Sequence, residues 1–289
     1  MNPTYQKISQ IAHQKVYEFI KCAQIPISDY HFQYYFDYIV QRKNILVFPH
    51  HFDNDLILGI TMIDHSGISL SYEKNAIVAR QNFTKCHELG HIILGHHGTL
   101  FTEQITNKSG SELEADYFSS IILAPDIVLI HKILYKNKRY TDILQELKIS
   151  NQALEVRLTQ LIQNYTSIPY PKVKEMIYSF RANTSYRQKL IDCLATFQQD
   201  IISSYNTCIP QPIQKFDYLF SQQPFITQLD CPQLAEKAFQ KQLITDYDNI
   251  KTWSYYNKGQ AIWYAWNTDK LTDAEAQSKA KLIHTLKFL

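Results

Sequence analysis

The chain has 289 residues, which is enough for two domains and a sizeable hydrophobic core. Its formal net charge of +2 is close to zero, so the composition predicts neither a nucleic-acid-binding surface nor attraction to an anionic membrane. The five cysteines form no CxxC pair, no apolar run approaches about 18 residues and no signal peptide is visible, which together predict a cytoplasmic protein with reduced thiols and no membrane span.

The first quarter of the chain predicts one amphipathic helix followed by short strands. Apolar residues recur at helical spacing over residues 4–23. Strands are predicted at 45–48, 56–63 and 68–72, and the last of these alternates like a half-buried strand. Two interpretations of residues 68–72 stay open: an ordinary edge strand, or an edge to which an extended peptide substrate adds its backbone.

Residues 87–91 read His-Glu-Leu-Gly-His, which is the HExxH arrangement of zinc peptidases. On a helix, positions i and i+4 share a face, so His87 and His91 can present two imidazoles to one metal ion. Glu88 lies beside them, where a carboxylate can take the proton of the attacking water. The motif therefore predicts two metal ligands and a general base.

The surroundings of this motif predict a buried central helix. Residues 79–95 contain no proline, and apolar residues occur on several sides of the helix. Gly98 is the predicted helix stop. Gly90 costs about 1 kcal/mol relative to Ala in a helix interior, so we expect another element to pack closely against it.

A third ligand is expected, because catalytic zinc takes three protein ligands and keeps one position for water. A second helix is predicted after residues 109–111, with three acids in its first two turns. Glu112 and Asp116 are four residues apart and share a face, whereas Glu112 and Glu114 point about 200° apart. We predict Glu112 as the ligand and Asp116 as the carboxylate that orients a ligating histidine, with Glu114 as the less favoured ligand.

The runs RQNFTKCHELGHIILGHH and ELEADYFSSIILAP resemble the ImmA/IrrE family of zinc metallopeptidases. The resemblance is dense over these runs and weaker over residues 1–165, and Ser119 stands where the family usually has alanine. It implies hydrolysis of a peptide bond in a protein substrate. For the substrate it implies a helix-turn-helix repressor of a phage or mobile element, or a stress regulator.

Residues 141–163 have the spacing of a helix-turn-helix, and the resemblance includes a similar segment. Thr141 can cap a first helix and Ser150 a second. The second helix is predicted to expose polar residues with a single arginine, Arg157. One arginine gives only weak binding to the phosphate backbone. We therefore expect a packing role rather than direct nucleic-acid binding.

Residues 164–172 contain two prolines among polar and aromatic residues and are predicted to be a linker. This divides the chain into a peptidase domain at 1–168 and a mainly α-helical domain of unknown role at 169–289. A long amphipathic helix is predicted over 183–205, and four prolines break the region after it into short helices. Six aromatic residues near the end predict a core cluster rather than a protein-binding surface: Trp253, Tyr255, Tyr256, Trp263, Tyr264 and Trp266.

These features predict an α+β zinc-peptidase domain with a helix-turn-helix-like extension, followed by the helical domain. The hypothesis is a cytosolic endopeptidase in which His87, His91 and Glu112 hold Zn²⁺ and Glu88 is the general base. Two alternatives stay open: a non-catalytic sensor or antirepressor that binds its partner regulator, and a DNA-binding regulator that uses residues 141–163.

Overall fold

The structure is a computed structural model that describes residues 3–52, 57–96, 99–104, 110–184 and 187–288. The chain divides into two compact units, Met1–Ile209 and Pro210–Leu289. The predicted fold class is confirmed: a small mixed sheet with helices forms an α+β domain, and a largely helical region follows.

The first unit begins with helices and strands in mixed order and ends with helices alone. Its elements are α1 (Pro3–Cys22), α2 (Phe32–Arg42), β1 (Ile45–His50), β2 (Ile57–Asp64), β3 (Gly67–Glu73), α3 (Val78–Leu94), β4 (Leu100–Gln104), α4 (Gly110–Leu123), α5 (Asp126–Ile130), α6 (Tyr140–Leu147), α7 (Asn151–Tyr165), α8 (Tyr170–Arg181) and α9 (Gln188–Thr207).

The sheet of the first unit has the strand order β1-β3-β2-β4. Strands β1 and β3 are parallel, and the other two pairs are antiparallel. The prediction that residues 68–72 form an edge strand is wrong, because β3 pairs with a strand on each side. Among the described residues the two edges of this sheet are β1 and β4.

Helix α3 lies against this sheet and packs closely on α4. A Cβ placed on Gly90 would lie 3.2 Å from the Cα of Ala115 and 3.3 Å from the Phe118 ring, so glycine permits the close approach that the sequence predicts. The helix ends at Leu94, with Gly95 in the left-handed conformation as its cap. The predicted stop at Gly98 lies outside the described residues.

Helix α4 continues through α5 and a π-helical turn at His131–Tyr135. By length and composition alone, the stretch Gly110–Tyr135 could cross a membrane, which the sequence analysis did not foresee. However, 78% of its most apolar window is buried inside the protein. This burial is consistent with the core helix of a soluble protein.

Helices α6 and α7 match the two predicted helices of the helix-turn-helix-like segment within a few residues. The Ser150 hydroxyl accepts a hydrogen bond of 3.1 Å from the Ala153 N–H, as its predicted capping role requires. The first helix begins at Tyr140, so Thr141 lies inside it and is not its cap.

Arg157 of α7 differs from the prediction in one respect that bears on function. Arg157 is 1% exposed, and its guanidinium pairs with the buried carboxylate of Asp126. The arginine that sequence analysis placed on the exposed face of α7 is therefore directed into the core. A buried guanidinium is not available to a phosphate backbone.

Helices α8 and α9 pack on α7 and α5 and belong to the first unit. The two prolines of the predicted linker begin a helix: Pro169 is the N-cap of α8 and Pro171 lies in its first turn. Because α8 and α9 belong to the first unit, the division between the compact units falls between residues 209 and 210. The predicted domain boundary lies between 168 and 169.

The second unit contains a three-stranded antiparallel sheet that was not predicted. Its elements are α10 (Pro212–Gln222), β5 (Phe225–Thr227), α11 (Lys237–Asp246), β6 (Ile250–Asn257), β7 (Gln260–Asn267) and α12 (Asp273–Phe288), and its strand order is β5-β7-β6. One face of the sheet packs on α10 and α11 and the other on α12. Of the predicted aromatic core, Tyr264 and Trp266 are buried, whereas Trp253 and Tyr256 are exposed.

Candidate metal centre

Helix α3 presents two imidazoles on one face, because His87 and His91 are four residues apart. Both residues are fully buried. Their Nε2 atoms are 3.2 Å apart. Two ring nitrogens this close cannot both carry a proton toward each other, so at least one lone pair points into the space between the rings.

Helix α4 brings Glu112 to the same space. Glu112 Oε2 is 3.0 Å from His87 Nε2, and Oε1 is 3.5 Å from His91 Nε2. A tetrahedral metal site with ligand distances of about 2.0–2.1 Å has edges of about 3.3 Å, which these separations match. The three residues form a group that could hold a metal ion, and its donor set suits a transition metal.

The two histidines of this group differ in their protonation. Burial disfavours the charged form of His87, but hydrogen bonds to Asp116 and Glu112 outweigh burial and raise the pKa of His87 to about 10. Burial and the neighbouring His87 lower the pKa of His91 to about 4. His87 thus carries a proton that partly neutralises the carboxylates. A metal ion at Nε2 would take the place of that proton.

Asp116 lies behind His87, one turn along α4 from Glu112. Its Oδ1 is 3.0 Å from His87 Nδ1, on the opposite side of the ring from Glu112. A carboxylate at Nδ1 accepts the proton of that nitrogen, so Nε2 is the nitrogen that faces Glu112 and His91. The structure therefore places Asp116 where the i, i+4 spacing predicts it.

The far nitrogen of His91 has a different partner, which the sequence analysis missed. His91 Nδ1 is 2.9 Å from His96 Nδ1, and His96 Nε2 is 3.1 Å from Glu114 Oε2. An ionised carboxylate only accepts, so a neutral His96 donates from Nε2 and accepts at Nδ1. His91 then donates from Nδ1, which leaves its Nε2 free of a proton. Glu114 belongs to this chain of hydrogen bonds and not to the group of three donors.

Glu88 lies on the same helix with its carboxylate fully buried. The Thr61 hydroxyl donates a hydrogen bond of 2.6 Å to Oε2, whereas Oε1 has no hydrogen-bond partner among the described residues. Burial raises the pKa of Glu88 to about 8, although His87 and Thr61 act in the opposite direction. Oε1 is thus the oxygen of Glu88 that is open to a further partner.

Strand β2 makes room for this carboxylate. Gly59 and Thr61 are two residues apart and share a face of the strand. A Cβ at Gly59 would overlap the Glu88 carboxylate, so this position requires glycine. Neither residue is evident from the sequence, since both are more than 25 residues before Glu88 and the packing of α3 on the sheet brings them near.

A second buried carboxylate, Glu103 of β4, lies near the far side of His87. With His87 and Asp116 it forms another group of residues close enough to hold an ion. However, Glu103 already accepts a hydrogen bond of 2.8 Å from the Thr84 hydroxyl and pairs with the Arg80 guanidinium. Its oxygens are therefore engaged by α3, and the group of His87, His91 and Glu112 is the better metal centre.

The comparisons with known proteins agree with this geometry. Residues 40–159 match the model of the peptidase M78 family, described as the IrrE N-terminal-like domain. This match confirms the predicted family resemblance over a segment that contains α3 and α4, and it implies a metallopeptidase in general terms. Neither curated proteins nor solved structures give a significant match.

Proposed function

We propose that this protein is a zinc-dependent endopeptidase whose metal is held by His87, His91 and Glu112. The convergence of two imidazole nitrogens and one carboxylate within 3.0–3.5 Å supports this function more than any other observation. Two nitrogens and one oxygen with a fourth position left for water is the donor set of catalytic zinc. When bound, zinc would supply a Lewis acid for the scissile carbonyl.

Glu88 acts as the general base of the proposed reaction. Thr61 holds Oε2, so Oε1 is the oxygen that takes the proton of the attacking water. The same carboxyl group then delivers this proton to the leaving amine.

The proposed substrate is a cytoplasmic protein, specifically a helix-turn-helix repressor of a phage or mobile element, or a regulator of a stress response. This proposal comes from the resemblance of residues 80–125 to the ImmA/IrrE family, and the match to the family model supports the family. A small repressor encoded beside this gene is the first full-length protein to test as a substrate.

The activity is tested with the zinc-loaded full chain and a proteome-derived peptide library, with cleavage read by mass spectrometry. We expect Glu88→Gln to lower turnover by roughly 10²–10⁴ while zinc content stays the same. Glu175→Gln is the matched control, because it removes the same charge from an exposed helix position of the first unit. Equal cleavage by wild type and Glu88→Gln would exclude Glu88 as the base.

The same assay separates the peptidase from the alternatives. A zinc-loaded wild type that cleaves neither the library nor the repressor would favour an antirepressor that acts by binding. The DNA-binding alternative loses the single arginine that the sequence placed on the exposed face of α7, because Arg157 is buried against Asp126.

A further inference from the structure

A groove of about 430 Å³ lies between α3, α4 and α7 of the first unit. Each helix, or the residue just before it, contributes apolar side chains to the walls: Ile77, Phe83, Leu113 and Val156. Ile77 is 72% exposed and Val156 is 43% exposed. Large apolar residues gathered around one concave surface indicate a binding site, whereas single exposed ones do not.

This groove adjoins the candidate metal centre. Asp116 lines it, and the same carboxylate is hydrogen-bonded to His87 Nδ1. The ring of Phe83, another lining residue, has its centroid 6.1 Å from that of His87. Two lining residues of the groove, Phe83 and Asp116, are therefore neighbours of the imidazole whose Nε2 faces His91 and Glu112. A residue of an extended chain spans about 3.3–3.6 Å, so a substrate at the metal centre can reach the groove within a few residues.

Helix α7 contributes one regular stripe to the groove. Gln152, Val156 and Gln160 are spaced by four residues, so they share a face, and all three line the groove. Arg157, the next residue after Val156, points into the core instead. The helix that resembles a DNA-recognition helix thus presents a polar and apolar surface to this groove.

The two charged side chains that line the groove each have a partner of opposite charge within the protein. Arg80 forms an ion pair with Glu103, and Asp116 is hydrogen-bonded to His87. The remaining lining groups are apolar side chains, hydroxyls and amides. A charged side chain in this groove would lose its water without gaining an opposite charge, whereas an apolar side chain gains from leaving water.

We infer that this groove is the specificity pocket of the enzyme and holds a large apolar side chain of the protein substrate, such as Leu, Ile, Met or Phe, close to the scissile bond. The inference rests on the proposed peptidase function. The groove is larger than one such side chain, so the adjoining backbone fits as well, and the amides of Gln152 and Gln160 can hydrogen-bond to it.

The test compares cleavage of the peptide library by wild type, Val156→Lys and Gln163→Lys, all as zinc-loaded full chains. Wild type should show large apolar residues enriched at one fixed position relative to the cleaved bond. Val156→Lys should lower kcat/KM for these peptides about ten- to hundredfold, mainly through KM, and should barely affect peptides with alanine at that position. Gln163→Lys adds the same charge to an exposed position of α7 outside the groove and should behave as wild type.

Cleavage without an apolar preference, or a preference that Val156→Lys leaves intact, would overturn the groove assignment while the peptidase function stands. If wild type cleaves nothing, the proposed function fails, and the groove is tested by fluorescence anisotropy with labelled alanine-rich nonapeptides that carry one Leu or one Asp. Tighter binding of the Leu peptide that Val156→Lys abolishes would support the pocket. Equal binding of both peptides would overturn it.

Discussion

Two clusters of buried ionisable side chains in the described part of the first unit differ in their chemistry. Around α5 and α7, the carboxylate of Asp126 pairs with Arg157 and lies 3.3 Å from His13 Nε2. Around α3 and α4, three groups that can each donate a lone pair converge on one point, and His87 carries the proton that they share. The first cluster contains a permanent cation, whereas the second does not.

This difference separates a structural cluster from a candidate active site. A buried carboxylate beside a guanidinium already has its opposite charge, so the pair needs no further ligand. Arg157 Nε and Nη1 lack hydrogen-bond partners among the described residues, but they are N–H donors and cannot bind a cation. Glu88 instead has a buried acceptor oxygen without a partner there, and the nearby lone-pair donors are spaced like the ligands of one metal ion. Burial of polar groups is common to both clusters. The convergence of acceptors is what indicates a cation site.

Removal of one metal-binding side chain from the convergent cluster (His87, His91 and Glu112) should have the largest effect of the changes considered. We expect Glu112→Ala to lose bound zinc almost completely, whereas Glu114→Ala, loaded with excess zinc, should retain close to one ion per chain. The reason is that Glu112 touches both Nε2 atoms and Glu114 touches His96. Metal content after desalting, measured by atomic emission, checks this. Retention by the first variant with loss by the second would identify Glu114 as the ligand.

Breaking the paired cluster (Asp126, Arg157 and His13) should change the free energy of unfolding and not the zinc affinity. Asp126→Ala leaves the buried guanidinium of Arg157 without its carboxylate, which should cost about 3–5 kcal/mol in the free energy of unfolding. The double variant Asp126→Leu/Arg157→Met removes both charges and should recover most of this loss. Urea denaturation of the full chain measures both. A single variant as stable as wild type would show that the pair contributes little.

The comparison also explains what sequence alone could predict. The proposed ligands lie on two helices, where i and i+4 spacing fixes which side chains share a face. His87 and His91, and likewise Glu112 and Asp116, could therefore be placed relative to each other without a structure. The residues around Glu88 could not, because Gly59 and Thr61 lie on β2 and reach it through the packing of α3 on the sheet.

Two errors had signals that could have corrected them. Arg157 follows Leu154 by three residues and precedes Leu161 by four, so it lies on the buried stripe of α7, and only its partner Asp126 was missing from the sequence argument. The hairpin of β6 and β7 turns at Lys258 and Gly259, both with positive φ. Such a two-residue turn usually has Asn or Asp at its first position. Because lysine stands there, the sequence lacks the usual hairpin signal.

The hydrogen-bond chain behind His91 should have an intermediate effect on the convergent cluster. We expect His96→Ala to weaken zinc binding about ten- to hundredfold, because His91 Nδ1 loses the acceptor that fixes its tautomer. His96→Gln should restore part of the affinity, since its amide oxygen can accept the same hydrogen bond. Competition with a chelator of known zinc affinity gives the dissociation constants. Identical constants for wild type and His96→Ala would remove His96 from the metal centre.

The smallest expected effect concerns the pH dependence of the paired cluster. Burial opposes ionisation of Asp126, but Arg157 and His13 hold its pKa well below its usual range. A carboxyl group with a lowered pKa stabilises the folded state above its unfolded pKa of about 3.9, and this contribution is lost as the pH falls toward the folded pKa. The stability difference between wild type and Asp126→Asn, from urea denaturation, should therefore be constant between pH 7 and about pH 5. Below about pH 4 it should shrink by about 1.4 kcal/mol for each unit of the pKa shift that is titrated. A difference that stays constant down to pH 3 would mean that Asp126 has the same pKa in the folded and unfolded chain.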